Sequence, residues 1–421
     1  MVTTLICIFS ICYSLMSLSI PGTVACAIIF LISVSFSAFG QSEIVSNQDS
    51  AFAKQKDIVD LLQGGFKTHL RKDTLSTKGS GPFFSILPVM GYSLQSGLTG
   101  AIVTNTSFYT DASKSRFSNL LINGYYSQYH QYWFTANSTL FFEKYKLHLV
   151  GDTRYYNFPT QTYGLGTNSM LTDGLDIKYS YFRISQIAFR ELTPSIFAGA
   201  GYNLDYHWNI TNDTIAGKAL SDFNMLQKGT THSVSSGISL NILFDNRKNP
   251  VNPERGSYAN IQYRPNLKML GSDTNWQSLL IDLRTYVKFP ASSHNVLAFW
   301  NYYNFTLAGT PPYLDTPSTG WDAYSNTGRG YVPGWYTGKN FNYLESEYRF
   351  CLTRNGILGA VVFGNIESVY QTWKDALPVI PGGGFGLRIK MNKYSNTNVA
   401  IDYGFGVGGS HGFFFNLGEV F

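Results

Sequence analysis

Apolar and polar side chains alternate along the chain from Phe83 to Phe421, in one segment after another. The clearest segment runs from Trp276 to Phe289. Its apolar face carries Leu279, Ile281, Leu283, Val287 and Phe289, and its polar face carries Ser278, Asp282, Arg284 and Lys288. A period of two residues is the pattern of a β-strand with two different faces. The sequence therefore predicts an all-β fold.

The length of these segments distinguishes a soluble β-sandwich from a transmembrane β-barrel. We count about sixteen of them, most of about 10 to 14 residues, whereas soluble strands are usually nearer 5 or 6 and tilted transmembrane strands need about 9 to 11. Long connections near 156–176, 208–231, 308–339 and 368–380 mostly alternate with short ones. These features predict a single transmembrane antiparallel β-barrel of about 16 strands over residues 83–421.

Composition excludes several other classes of protein. Only 14% of the residues are charged, while 44% are hydrophobic and 16% aromatic, which excludes a disordered or coiled-coil chain. After residue 40 no apolar run approaches the roughly 20 residues of a membrane helix. The formal net charge of +5 is modest, and no basic run is interleaved with aromatic residues, so we expect no nucleic-acid partner.

The first 40 residues contain no charged side chain. The apolar run from Val24 to Phe36, followed by Ala38-Phe39-Gly40, predicts a signal peptide (1–40) that is cleaved near Gly40; an uncleaved anchor is the alternative. Residues 41–82 are interpreted as a periplasmic lead-in with one short helix. Export followed by a barrel predicts the bacterial outer membrane as the location and its lipid as the surroundings.

Several short motifs follow one another in a fixed order. They are a turn with Asp245, Arg247, Pro253 and Gly256; a loop with Gly328, Arg329, Gly330 and Tyr331; a strand with Glu345, Glu347 and Arg349; a glycine-rich strand at 382–391; Asp402-Tyr-Gly; and the aromatic Phe421. This series resembles the BamA/TamA superfamily of outer-membrane assembly and translocation barrels, also called bacterial surface antigen proteins. The resemblance covers about residues 83–421.

The resemblance implies a 16-stranded barrel whose 309–339 loop folds back into the lumen. Arg329 would anchor that loop on acidic wall residues, because a guanidinium in a confined lumen needs carboxylate partners. The candidate partners on predicted lumen faces are Glu345, Glu347, Glu367 and Asp402. Two positions depart from the family pattern: Gly328 replaces a β-branched residue, and Asn365 stands where the family often has Asp.

The last segment, 411–421, is predicted to be the final strand, with Phe413, Phe415, Leu417 and Phe421 on one face. Phe421 resembles the terminal assembly signal of outer-membrane barrels. The barrel should close by pairing this strand with the first one, near 83–91. This seam is expected to be weak, because Pro88 cannot donate a ladder hydrogen bond and Gly412 and Gly418 offer no side chain.

Assembly members of the family carry POTRA modules of roughly 75 residues before the barrel, yet only about 42 residues separate Gln41 from Phe83, so no such module is expected here. The resemblance itself implies a role in protein insertion or transport across the outer membrane. Without such modules the barrel would receive client chains from periplasmic or outer-membrane partners that supply the POTRA function, act as an accessory subunit, or have another role altogether. The alternative is a passive porin-like or structural barrel.

No catalytic, cofactor or metal site is expected. His232, Ser233 and Ser235 form the one His/Ser cluster, but His232 and Ser235 point to opposite faces of a strand and no suitable acid follows. No Cys/His set has metal-ligand spacing, and no glycine-rich loop joins a strand to a helix. An enzymatic role is therefore not predicted.

Overall fold

The computed structural model describes residues 83–421. Within that range it leaves out 94–95, 109, 111–117, 143–145, 169, 213–229, 248, 324, 373–374, 376–377 and 393–395. The signal peptide and the lead-in predicted for residues 1–82 lie outside the described residues. In the described part of the chain, no helix is both long and apolar enough to cross a membrane.

The described residues form sixteen long strands and one short one, β6. In chain order, β1 to β17 are Phe83–Ser93, Gly97–Phe108, Ser118–Ser127, Tyr132–Phe142, Leu147–Asn157, Thr160–Thr162, Leu175–Thr193, Ile196–Asn212, His232–Asp245, Gly256–Asn266, Trp276–Lys288, Val296–Ala308, Asn340–Cys351, Leu358–Tyr370, Ile380–Asn392, Thr397–Phe405 and His411–Leu417. The prediction of an all-β barrel with about sixteen strands is confirmed.

Each long strand pairs antiparallel with the next along the chain, so the sheet is a continuous meander. The short strand β6 continues the line of β5 and pairs with the start of β7, from Leu175 to Ile177. Sequence alternation did not predict β6, because three residues are too few for a period of two to be visible. A meander of this kind needs only hairpin connections.

The two faces of the strands differ as the alternation predicts. On β16, Asp402 and Ala400 are fully buried toward the lumen, whereas Phe405 on the other face is 47% exposed. Ile86 and Met90 of β1 are likewise exposed on the outer face. An apolar outer band with a polar interior is the arrangement of a transmembrane barrel.

The connections at the two ends of the barrel differ in length. One end, here the loop end, carries the segments 158–174 and 309–339, and the other, the turn end, carries connections such as 194–195 and 352–357. Hairpin β7–β8 is the longest in the described chain, with strands of 19 and 17 residues, and it extends the wall at the loop end. Segment 309–339 lies inside the lumen, where most of its residues are buried.

Candidate functional site

Arg329 lies at the tip of a tight turn within the 309–339 loop and is 1% exposed. Gly328 and Gly330 on either side have φ values of 74° and 109°, a region that L side chains rarely adopt. The main-chain N–H of Tyr331 donates to the Gly328 oxygen at 2.9 Å and closes the turn. The glycines therefore present the arginine side chain to the barrel wall.

Three carboxylates of the wall surround the Arg329 guanidinium. Its Nη1 donates to Oδ2 of Asp402 at 2.6 Å, and its Nη2 donates to both Glu345 and Glu347. The guanidinium also stacks on the ring of Phe363, 3.7 Å from the ring centre. Burying a charge is tolerated only when it is paired and hydrogen-bonded, and this cluster meets both conditions.

Further basic side chains balance these carboxylates. Arg349 Nε donates to Glu347 at 2.7 Å, and Arg388 Nη1 donates to Asp402 at 2.5 Å. Arg388 Nε also donates to Glu419 at 2.7 Å. The anchor is thus part of a lumen network of alternating charges, in which removal of one member leaves several partners unsatisfied.

Glu367, the fourth candidate partner, is not among the groups that contact the Arg329 guanidinium. It is fully buried and accepts hydrogen bonds from Thr319 Oγ1, at 3.1 and 3.2 Å to its two oxygens. Thr319 belongs to the same loop. Glu367 therefore holds a different part of the loop, through a neutral donor.

Glycines at the end of β16 and just after it let the loop approach the wall backbone. A Cβ on Gly404 would lie 2.7 Å from the Gly330 nitrogen, and a Cβ on Gly406 would collide with the Tyr331 ring. The Tyr331 hydroxyl donates to the Pro381 oxygen and accepts from the Val407 N–H at 3.1 Å. Gly330 and Tyr331 therefore lie directly against wall backbone at two positions that carry no side chain.

The turn motif lies between β9 and β10 at the turn end. Arg247 pairs with Asp245 at 2.9 Å and stacks over the ring of Tyr258, and Pro253 is buried. Gly256 has a φ of 107°, and a Cβ there would lie 2.9 Å from the Asn246 side chain. The motif therefore fixes the shape of a long turn.

This turn reaches the far side of the barrel. The Val251 oxygen accepts the Glu419 N–H at 3.0 Å, and Asn252 Nδ2 donates to the Asn396 oxygen at 3.0 Å. Asn396 lies in the turn between β15 and β16. The 246–255 segment therefore contacts both the last residues and the β15–β16 turn.

The last four residues do not continue the final strand, so the prediction of a strand over 411–421 is wrong at its end. Strand β17 ends at Leu417, and Gly418 has a φ of 99°, which turns the chain inward. Phe421 is only 3% exposed and stacks on Trp300, with 5.2 Å between ring centres. Its predicted face with Phe413 is therefore wrong as well; its role as an assembly signal stays a prediction.

The seam between the first and last strands differs from the expected pairing. Strands β1 and β17 lie side by side, yet no hydrogen-bonded ladder joins their described residues. Pro88 is exposed on the outer face of β1, opposite Ile102 of β2, and Gly412 of β17 pairs with Gly404 of β16. The inward turn at Gly418 removes the end of the last strand from the seam.

The His/Ser cluster is divided between the two faces, as its spacing predicts. His232 is exposed, whereas Ser233 and Ser235 are buried, and Ser235 Oγ donates to Asp315 at 2.6 Å. Within the described ranges, no group of three or more His, Cys, Asp or Glu side chains is placed to hold a metal ion.

Sequence reasoning missed a second contact region of the loop, on strands β5 to β9. Asp315 docks there, and Arg154 Nη2 donates to the Ala323 oxygen at 3.0 Å. A signal was present: Asp152 and Arg154 are two residues apart, so they share a strand face, as Asp282 and Arg284 do. Repetition of the acid-x-Arg spacing marks lumen faces of this barrel.

Comparison with known proteins places this geometry in a wider context. The sequence model of the Omp85 superfamily domain matches residues 104–376. No curated protein sequence is significantly similar to the chain.

Solved structures with the same fold include BamA from Haemophilus ducreyi lacking POTRA domains 1–3 (16% identity, TM-score 0.53, 79% of this chain and 69% of that one). CdiB from Acinetobacter baumannii (13%, 0.52, 81% and 60%) and CdiB from Escherichia coli (11%, 0.53, 81% and 61%) are also similar. The chain thus spans less than two thirds of either CdiB structure.

Proposed function

This chain belongs to the Omp85 superfamily, and on that premise we propose that it takes part in inserting proteins into the outer membrane or transporting them across it. It would act as an accessory subunit, with periplasmic or outer-membrane proteins as partners. Barrels of this superfamily are outer-membrane proteins that work with partner proteins.

The observation that carries the proposal is the loop held in the lumen by Arg329. A passive pore needs a permanently open lumen, whereas here a buried arginine with three carboxylate partners holds a 31-residue segment, 309–339, inside it. The absence of a ladder between the described residues of β1 and β17 also favours a wall that changes shape over a rigid porin. Both features suit a barrel that is closed at rest and opens for a client chain.

Planar-bilayer conductance tests the proposal against the passive porin-like alternative. We expect the intact barrel to conduct poorly, and a variant with 309–339 replaced by a short Gly/Ser linker to conduct strongly. Arg329→Ala, which keeps the whole loop, should give intermittent openings. Steady conductance of the intact barrel that neither change increases would support the porin-like reading instead.

A transport role needs its own measurement. Native outer membranes should yield co-purifying periplasmic or outer-membrane proteins with the intact barrel. Reconstituted with those partners, the barrel should accelerate insertion of a reporter β-barrel into liposomes relative to the partners alone. An unchanged insertion rate and no co-purifying protein would contradict the proposal even if the lumen is closed.

A further inference from the structure

We propose that the 309–339 loop has a second, releasable anchor at Asp315, and that the acidity of the medium at the loop end decides whether this limb of the loop is docked. The limb is residues 309–317, which precede the Arg329 turn. This inference concerns the movement of the loop, and it holds whether or not the barrel transports proteins.

The Asp315 carboxylate sits in a polar pocket formed by β8, β9 and β11. Ser235 Oγ donates to its Oδ2 at 2.6 Å, and Trp276 Nε1 in turn donates to Ser235 Oγ at 3.1 Å. His207 Nδ1 is 3.8 Å from Oδ1 of Asp315 and has no hydrogen-bond partner among the described residues. The Asp315 side chain is 7% exposed, so water replaces few of these contacts.

Apolar packing brings the carboxylate to this pocket. Residues 313–315 form a single 3-10 turn, in which Tyr313 and Leu314 are buried. They pack against Ile177 of β7 and Ile210 of β8, and the Tyr313 hydroxyl contacts the Thr162 hydroxyl. The limb therefore behaves as a small docked unit on the β6–β9 wall.

The arginines that face Asp315 form ion pairs with another acid. Arg264 of β10 pairs with Asp205 of β8 at 2.5 Å, and Arg183 of β7 lies 3.4 Å from the same carboxylate. Tyr179 of β7 also faces the site, and its ring packs edge-on against His207. Asp315 is thus a buried acid beside a second acid, with both nearby arginines bound to that neighbour.

This environment favours the protonated acid. Burial, reinforced by the negative charge of Asp205, raises the pKa of Asp315 to about 7, although the Ser235 hydroxyl and the two arginines oppose the shift. An undocked, solvated Asp315 would have a pKa of about 3.9. Docking is therefore strongest below about pH 4 and weakens as the pH rises through about 7.

The Arg329 end of the loop has a separate anchor that does not include Asp315. Its guanidinium stays charged at all physiological pH values and has three carboxylate partners. Rising pH should therefore release the 309–317 limb while the 328–331 turn remains seated.

Thiol labelling measures this movement. The purified full-length barrel, carrying Leu314→Cys in a Cys351→Ser background, is alkylated with a maleimide between about pH 6 and about pH 8.5. Each rate is divided by that of the same protein carrying Asp315→Asn, measured at the same pH, which cancels the pH dependence of the reagent. Because Asn cannot ionise and can donate to His207 Nδ1, this variant should stay docked.

The two pKa values predict the size of the effect. With about 7 docked and about 3.9 undocked, the docking equilibrium constant falls about tenfold from pH 6 to pH 8.5, and the normalised labelling rate should rise by the same factor. Ser235→Ala removes a donor that favours the charged acid, so the pKa of docked Asp315 rises and the midpoint should move to higher pH. Asp375→Asn, at an exposed loop carboxylate, is the matched control and should leave the labelling rate and its pH dependence unchanged.

Two outcomes would overturn the proposal. One is a normalised rate that is flat across this pH range. The other is a pH profile that Ser235→Ala leaves unmoved. Because Leu314→Cys alters the apolar contact, chymotrypsin cleavage of the unmodified loop, again relative to Asp315→Asn, repeats the measurement without the cysteine and should show the same rise.

Discussion

The side-chain amide of Asn365 donates a hydrogen bond to the main-chain oxygen of Arg329 at 3.0 Å. The wall of β14 therefore holds the backbone of the loop turn as well as the guanidinium. The position is notable because the resemblance to the BamA/TamA superfamily leads one to expect Asp here, and a carboxylate could not make this bond.

Asn365→Asp should loosen the loop. The ionised side chain has no proton to donate, so it would face the Arg329 oxygen as a second acceptor in a buried site. We expect the free energy of unfolding to fall by about 1 to 3 kcal/mol, measured by urea unfolding of the barrel in lipid. Asn365→Gln is the control that keeps the amide, and an Asp variant as stable as the wild type would contradict the assigned bond.

Arg329→Ala should leave three buried carboxylates without their shared partner. The expected loss is about 3 to 5 kcal/mol, because breaking a buried pair leaves uncompensated charge. The measurements are protease sensitivity of the 309–339 loop and the temperature at which the folded barrel loses its heat-modifiable gel mobility. If both stay unchanged, Arg329 does not anchor the loop; Arg255→Ala, at a turn-end arginine, provides the comparison.

Gly404→Ala should displace the loop from the wall. The added Cβ would lie 2.7 Å from the Gly330 nitrogen, and overpacking of this kind costs about 1 to 3 kcal/mol. Gly364→Ala is the matched control, because a Cβ on that wall glycine meets nothing within 4 Å. We expect increased proteolysis of the loop only in the Gly404 variant, and equal behaviour of both variants would argue against close contact between loop and wall.

Disulfide trapping should reveal a weak seam. In a Cys351→Ser background, Met90→Cys combined with a cysteine at Phe413, Phe415 or Leu417 should crosslink slowly and incompletely. The control pair joins Ile401 and Phe415, which are direct partners across β16 and β17, and it should crosslink fast. Rapid, complete trapping at all three seam positions, without loss of function, would contradict a seam that opens.

The strands could be predicted because their signal is local. The alternation around Asp402 or Asp282 depends only on neighbours in sequence, and it assigned both residues to the lumen side on which they lie. The end of β17 could not be predicted in this way. Its inward turn depends on Glu419 meeting Arg388 and Asn398, which come from other strands.

The site was predictable to a similar extent. The lumen faces of the strands limited the candidate partners of Arg329 to a few acidic residues. Which of them Arg329 contacts depends on the path of the loop, and the sequence does not define that path. In the structure Arg329 contacts Asp402, whereas Glu367 accepts a hydrogen bond from Thr319. The Asp315 contact was missed because no motif surrounds it. Its partners Ser235 and His207 are distant in sequence and meet it only in the folded barrel.

The contact between Gly330 and Gly404 sets an order of events during folding. The loop precedes β15 and β16 in the chain, yet its tip rests on the backbone of those strands. The loop therefore cannot reach its final position until these later strands have paired. Insertion of the loop is then among the last steps of folding. Arg329 can bind its wall carboxylates only after the carboxyl-terminal part of the wall is complete.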